Sequence, residues 1–569
     1  MKTNYRLLTQ SPELQLSRTS SATVSRPVEQ GGDFVADRAL ERCSTEANIA
    51  TKLDEIAASF PNFTALIQGS GLTSSSINFE TLSRLVGNKA AILKSAGLRK
   101  GDLVLMLQPM SIDLYASILA VFRLGATVLI VDAAAGKDKV NHAIASTAPH
   151  AVIAAGKGII ASLALKSVRH IKLKFSDGLT LPGWTSLAPN NQIIAPVEPV
   201  SANHPALVTL TSGTSGEPKM IVRSHEFLQT QLQAVSSNCD VNEFSSELTS
   251  LPVFVLANLA SCVKTVLPDA NLADLKHMNV DRIINQLNRF QPERVLGSPA
   301  FIERIVSECA HQGITLPFVK KIITGGGPVF PQLLESAKAV FVNANLTTVY
   351  GSSEAEPVSK ISFADLSHAD LNAIANGAGL PVGSPVSQIR IRIEPLVAQQ
   401  NQMNSAERLS ALRHICELKN LHLDAVGEIL VTGDHVVKGY DRGIGDEETK
   451  VRIDGEIWHR TGDVGYLDNS GKLWLTGRIT NAALDTSFAL SVEAAALFDI
   501  HVERAACLTL NNVTTLFIES TGAMHEIDRW TLKNRLNWSN LSAVKVVRKI
   551  PVDSRHSSKV LYHKLANSA

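Results

Sequence analysis

The chain has 569 residues, 45% of them hydrophobic, with 54 basic side chains against 53 acidic ones. That length exceeds what one compact core supports, so two or more domains are predicted. A formal charge of +1 supplies no global field to draw nucleic acid or an anionic membrane, and recognition is expected at local sites. The cysteines (Cys43, Cys239, Cys262, Cys309, Cys416, Cys507) are scattered with no Cys-x-x-Cys pair. That argues against a disulfide framework or zinc site and for buried free thiols in a reducing compartment. Met1 to Gln10 lacks the apolar core of a signal peptide, and no apolar run reaches the ~20 residues a membrane span needs, so a soluble, cytoplasmic protein without a transmembrane segment is predicted.

Residues 1–45, rich in Ser, Thr, Gln and Glu, read as a poorly ordered extension. From Asn48 the spacing of Ile49, Leu53, Ile56 and Ala57 is helical. Short strands follow at Ala65 to Gln68 and Ser75 to Phe79, then a helix from Thr81 to Ser95. Strands at Asp102 to Leu107, Thr127 to Val131 and Ala151 to Ala154 alternate with helices at Ser111 to Leu124 and Val140 to Thr147. This alternation predicts a parallel sheet covered on both faces.

Two further predicted strands, Leu207 to Leu210 and Ile221 to Arg223, flank Thr211-Ser212-Gly213-Thr214-Ser215-Gly216-Glu217-Pro218-Lys219. Gly213 and Gly216 let backbone amides approach an anion, Thr211, Ser212, Thr214 and Ser215 add hydroxyl donors, and Lys219 adds charge: the makings of a polyphosphate clamp. It is not a Walker A loop, whose glycine spacing and following helix are both missing. A ligand-free Ser/Thr/Gly turn between strands is the alternative. The order of residues closely resembles the phosphate loop of the adenylate-forming superfamily, which includes acyl-CoA synthetases, luciferases and the adenylation domains of peptide synthetases.

After a predicted helix from Glu226 to Ser237 comes the apolar run Leu251 to Leu259. The resemblance makes this run the lining of a carboxylate pocket, with Phe254 in it; plain core is the alternative. A strand at Arg294 to Gly297, a helix at Pro299 to Cys309 and a strand at Val319 to Thr324 lead to Gly325-Gly326-Gly327, where bare backbone can receive a flat ring. Next, a strand from Thr347 runs into Tyr350-Gly351-Ser352-Ser353-Glu354: a ring to stack on adenine, a hydroxyl for the α-phosphate and a carboxylate for magnesium. This is similar to the family's Tyr-Gly-x-Thr-Glu, with Ser353 keeping the hydroxyl.

From Val382 to Trp474 the period becomes two, with strands such as Ile389 to Ile393, Glu428 to Thr432 and Lys472 to Leu475, which predicts a small antiparallel barrel. Within it Thr461-Gly462-Asp463 places an acid after a glycine at a predicted turn, where it can accept both ribose hydroxyls. The resemblance gives Asp463 that role. Leu475-Thr476-Gly477-Arg478 closes the large domain. The family's hinge, usually Asp or Lys, falls at Thr480, and its lysine-and-glycine loop is unrecognisable in Ala482 to Phe488, with Thr486 near the glycine's place and Phe488 bulky beside it. The remainder reads as a small α+β domain with strands at Ala505 to Leu510, Thr515 to Glu519 and Val544 to Val547. Near its end Lys559, after Ser558, takes the place of the lysine in the family's C-terminal Pro…Gly-Lys motif.

The fold class implied is α/β. A large N-terminal AMP-binding domain at 46–478, of parallel-rich sheets covered by helices with a barrel subdomain at about 382–475, precedes a small mobile α+β lid at 479–569. The resemblance implies ATP- and magnesium-dependent activation of a carboxylic acid as an acyl-adenylate, with release of pyrophosphate. Lys219, Glu354, Arg478 and Lys559 would bear the catalytic charge, with Glu354 on the metal. The phosphate loop, Gly325 to Gly327, Tyr350, Gly351, Ser352, Ser353 and Asp463 would hold the nucleotide. Glu354-Ala355-x-Pro357-Val358-Ser359, Leu129-Ile130-Val131-Asp132 and Val552-Asp553-x-Arg555-His556-x-Ser558-Lys559 further resemble the olefin-biosynthesis branch, whose members close β-hydroxy acids to β-lactones without CoA. Three fates of the adenylate stay open: lactone closure, transfer to CoA, and transfer to the pantetheine thiol of an acyl carrier protein. An idle nucleotide- or acyl-binding relative is the other class of function, and the intact set of polar ATP-site residues argues against it. The implied partners are the acid and a carrier protein or pathway enzyme, not nucleic acid.

Overall fold

Helix Thr51–Ser59 buries Leu53 and Ile56, as the apolar spacing predicts. The computed structural model describes residues 48–71, 74–131, 136–179, 181–189, 193–211, 219–396, 406–479, 484–511, 513–520, 526–553 and 559–566. The predicted extension with Cys43, the loop residues Ser212, Gly213, Thr214, Ser215 and Gly216, Asp132, the hinge position Thr480, and Ser554 to Ser558 lie outside the described residues. All described residues belong to one compact unit.

The strands Leu103–Leu107, Thr127–Ile130 and Ala151–Ala155 are parallel neighbours in a seven-stranded sheet. They are apolar on both faces because both faces are covered: Val104 packs with Tyr115 and Phe122 of helix Ile112–Arg123, while Leu105 packs with Val140 and Ile144 of helix Lys137–Thr147. The sheet ends in an antiparallel pair, Pro205–Thr211 and Lys219–Ser224, with Thr211 opposite Lys219. The phosphate loop is thus the connection of an edge hairpin, and it starts at the carboxyl end of a strand parallel to Thr127–Ile130.

In the larger sheet, strands Thr64–Gln68, Lys264–Val266, Ser246–Thr249, Arg294–Gly297, Lys321–Gly325 and Asn345–Ser352 lie side by side and parallel. Ala355–Ser362 then turns back antiparallel. The ladder continues through Leu380–Pro385, Leu473–Arg478, Glu456–Leu467, Gly427–Thr432 and Arg390–Pro395, with Lys450–Ile453 hydrogen bonded to Glu456–Leu467. The antiparallel strands of the period-two region are therefore an extension of the parallel sheet. Helix Ala406–Lys419 sits among them where only strands and turns were expected. Its buried Leu412, Ile415 and Cys416 carry the three-and-four spacing of a helix face.

A third sheet orders Leu484–Asp485, Val502–Leu510, Val513–Ser520 and Ala543–Val546. Helix Ala489–Ala496 is buried along its whole length and packs two ways. Phe488 and Ala494 join Tyr466 and Trp474 of the large sheet, while Val492 and Ala495 face Val502 and Leu516. The cysteines among the described residues are free, all buried but the half-buried Cys262. No helix among the described residues is long and apolar enough to cross a membrane.

Candidate active site

Glu354 sits in the tight turn joining Asn345–Ser352 to Ala355–Ser362. Its N–H donates to Ser352 Oγ at 3.2 Å, its carbonyl accepts the Val437 N–H at 2.8 Å, and its carboxylate accepts the Tyr440 O–H at 2.8 Å. Burial works to raise this carboxyl, but His459, once protonated in acid, and the hydrogen bonds from Tyr440 and Ser352 outweigh it and hold the group below its ordinary value. Glu354 is thus an ionised acid at neutral pH.

Cations gather on the same tyrosine. Lys219 Nζ lies 5.5 Å and Lys450 Nζ 5.1 Å from the centre of the Tyr440 ring, within the range of cation–π attraction. Lys219 is buried and its Nζ reaches Glu448 Oε2 at 2.9 Å, whereas Glu448 is more than half exposed. Lys450 Nζ is 3.2 Å from His459 Nδ1. Burial lowers Lys450 to about 8, and burial followed by the Lys450 charge lowers His459 to about 4. At neutral pH the lysine is therefore charged and the histidine neutral. Arg223, on the strand that Lys219 begins, donates to Thr209 Oγ1 at 2.7 Å and to the Ser353 carbonyl at 2.6 Å, tying the phosphate-loop hairpin to the turn that carries Glu354.

Four residues before Glu354, the Tyr350 O–H donates to Asp463 Oδ2 at 2.6 Å, and Arg478 Nε lies 3.2 Å from Asp463 Oδ1. The predicted turn at Gly462-Asp463 is corrected here: both residues lie inside the strand Glu456–Leu467, and Asp463 stands opposite Arg478 in the ladder. Gly462 has φ 71 within that strand, and the pairing slips a step just beyond it. An irregular strand re-aims a side chain much as a turn would, and glycine adopts the positive φ without strain. Asp463 holds the Arg478 guanidinium, which is more than half exposed, above its ordinary value, with Tyr350, Glu354 and Tyr562 adding to the effect.

Gly325 ends its strand where an added Cβ would meet the Val349 carbonyl at 2.2 Å, so the neighbouring strand alone requires that glycine. Gly326 has φ 83. Phe254, in helix Pro252–Ala260, is buried among Leu232, Val235, Leu296 and Ile323, and Val349 packs against the same cluster. Past Arg478 the chain folds back on the large sheet. The Arg478 N–H donates to the Thr486 carbonyl at 2.9 Å, and Thr486 Oγ1 returns a bond to the Arg478 carbonyl at 3.0 Å. Lys559 is exposed beside the bridge between Val552 and Val560, its N–H donating to Asp553 Oδ1 at 2.8 Å.

The fold thus brings together Lys219, Tyr350, Glu354, Asp463 and Arg478, and adds Arg223, Tyr440, Glu448, Lys450 and His459, to which sequence reasoning assigned nothing. For two of these a signal existed. Asp454-Gly455 is the strongest short hairpin sequence, both residues have positive φ, and the hairpin they close sets Lys450 opposite His459. Tyr440 had none, being 86 residues from Glu354.

Among the described residues no group of three or more His, Cys, Asp or Glu side chains could hold a metal. A lone ionised carboxylate such as Glu354 fits magnesium, which is held by one or two carboxylates together with substrate phosphates.

The profile of the family described as AMP-binding enzyme matches residues 53–441. The chain is 27% identical over 554 residues to an olefin beta-lactone synthetase of Stenotrophomonas maltophilia, covering 91% of this chain and 97% of that one. It is 26% identical over 566 residues to an olefin beta-lactone synthetase of Xanthomonas campestris, covering 92% and 98%. The solved amide bond synthetase of Marinactinospora thermotolerans superposes with a TM-score of 0.72 at 19% identity, covering 91% of this chain and 99% of that one.

Proposed function

Because the chain belongs to the AMP-binding enzyme family, its match covering more than half of the sequence, we propose that it activates a β-hydroxy acyl acid with ATP and closes the resulting acyl-adenylate to a β-lactone. In the first step a carboxylate oxygen bonds to the α-phosphorus, the α–β phosphoanhydride bond breaks, and pyrophosphate leaves. In the second the β-hydroxyl oxygen bonds to the acyl carbon, the acyl–phosphate bond breaks, and AMP and a proton leave.

The observation that carries the adenylation half is the facing of Tyr350 and Glu354 with Asp463 and Tyr440 at 2.6 and 2.8 Å. Along one strand end a ring and a carboxylate are each fixed by a partner from the antiparallel extension, with cations close by. Asp463 would accept the ribose hydroxyls, and Tyr350 with the Gly325 to Gly327 turn would flank the adenine. Magnesium, held at Glu354, would neutralise phosphate charge. Lys219 would exchange Glu448, which is more than half exposed, for a phosphate. Lys559 and Arg478 would stabilise charge developing on the α-phosphate. Residues 46–478 would form the body and 479–569 the lid, with Phe254 at the wall of the acid pocket.

The lactone half is supported by the similarity to the olefin beta-lactone synthetases along nearly their whole length. It is supported also by Thr486, whose hydroxyl is bonded to Arg478 where thioester-forming relatives would have a bare glycine. A screen of carboxylic acids by pyrophosphate release, followed by mass spectrometry of products with and without CoA and a loaded carrier protein, tests both halves. AMP and a lactone without any thiol are expected. A thioester formed only when thiol is supplied would replace the lactone reading with a ligase, and no pyrophosphate from any acid would leave an idle relative.

A further inference from the structure

Glu493 and Tyr562 make a contact for which the adenylation reading has no use. Glu493, on helix Ala489–Ala496, is 3% exposed, and its Oε1 accepts both the Cys507 N–H at 2.8 Å and the Tyr562 O–H at 2.7 Å. The surrounding core is apolar, built from Ala489, Val492, Ala495, Leu516 and Ile518. Burial pushes the Glu493 carboxyl up to about 8, so at neutral pH it is a neutral acceptor. The helix beneath it is fixed to the large sheet through Phe488 and Ala494, which pack with Tyr466 and Trp474, and the residues just before it are bonded to Arg478 and Thr476. Glu493 is therefore a fixed point relative to Arg478.

Tyr562 opens the final helix Tyr562–Ala566, and Leu565 of that helix is buried with Ala506, Leu508 and Phe517. Apolar burial docks the helix without setting its rotation or height, because hydrophobic contact has no direction. A hydrogen bond to an immobile carboxyl does have direction. Lys559 precedes Tyr562 by three residues, a reach of at most about 10 Å. Burial and then Glu493 raise the Tyr562 phenol, and Arg478 is near enough to work against them. Resting on the adenylation reading, we propose that the Tyr562–Glu493 hydrogen bond is a positioning contact that holds Lys559 at the height where it meets the α-phosphate beside Arg478. Glu493 is buried and Tyr562 half-buried against the same apolar core, and a polar contact so placed serves registration better than it serves stability.

The test is pyrophosphate release with ATP, magnesium and the best acid from the screen. Y562F is expected to lower kcat about tenfold with the KM for ATP within about twofold, since the nucleotide contacts are elsewhere. E493L should lose a similar amount, and E493Q, which keeps the acceptor oxygen, should recover most of the loss. In a Lys559→Ala background Y562F should cost nothing further, whereas a merely structural tyrosine would lower the residual rate by the same factor. Y562F at the unaltered rate, or an additive loss in the Lys559→Ala background, overturns the positioning role and leaves the adenylation reading standing. No pyrophosphate from the unaltered chain with any acid overturns the adenylation reading, and this role with it.

Discussion

Tyr350 and Asp463 are 113 residues apart in sequence and joined by a 2.6 Å hydrogen bond, and Asp463 is shared with Arg478 at 3.2 Å. The carboxylate proposed for ribose is thus already oriented, by a ring on one side and a guanidinium on the other. Preorganisation of this kind lowers the ordering cost of binding.

Asp463→Ala should accordingly weaken ATP binding by about 1.5 to 3 kcal/mol, the range for hydrogen bonds to a charged group. The preference among acids should not change. Titration calorimetry with ATP, beside the acid screen, checks this; an unchanged ATP constant with altered acid preference would place the residue elsewhere.

Lys559→Ala should leave ATP binding intact and slow pyrophosphate release on the order of a hundredfold, about 3 kcal/mol of barrier, because the lysine acts on charge that develops only in the transition state. Near-normal release would remove it from the mechanism.

For Tyr440→Phe the ring that faces Lys219 and Lys450 is kept and only the O–H to Glu354 is lost. Loss of one such bond should cost about 1 kcal/mol, seen as roughly fivefold more magnesium needed for half-maximal rate. An unchanged magnesium dependence would separate Tyr440 from the metal-binding role proposed for Glu354.

The pH dependence of stability has a definite sign. His459 is lowered to about 4 by burial and then Lys450, and His225 to about 4 by burial and then His204. Both values lie below the ordinary ~6.5 for histidine, so between those limits the unfolded chain binds the protons first. Stability is full above pH ~6.5 and falls as pH drops towards about 4, by up to about 3 kcal/mol for each group. Urea midpoints from pH 7 to 4.5 should fall along this window, and His459→Gln should lose about half of that fall, since His225 still titrates there. A flat wild-type curve would contradict the buried, neutral histidines.

Gly477→Ala should destabilise the fold by about 1 to 3 kcal/mol, as overpacking does. The added Cβ would fall 2.0 Å from the Thr486 carbonyl and 2.6 Å from Ser487 C, forcing apart the strand that carries Arg478 and the chain that leads to Glu493. Thermal denaturation beside pyrophosphate release checks it, and both should fall together.

Much of this protein was readable from its sequence, for a physical reason. The alternation of apolar strands and helices before residue 211 determined a parallel sheet, because a strand covered on both faces must be apolar throughout. Tyr350, Glu354, Asp463 and Lys219 stood out because each lies in a short run whose residue types suit a nucleotide. Some readings depended on local spacing alone and failed with it. The turn expected at Gly462-Asp463 is an irregular strand, and a helix at Ala406–Lys419 hid in a region where period two dominated. What only tertiary structure decided are the partners. Tyr440 reaches Glu354 across 86 residues, and Glu448 reaches Lys219 across 229. No spacing rule links such positions, because their contact is set by how the antiparallel extension closes over the ends of the parallel strands, and therefore by the packing of the whole chain.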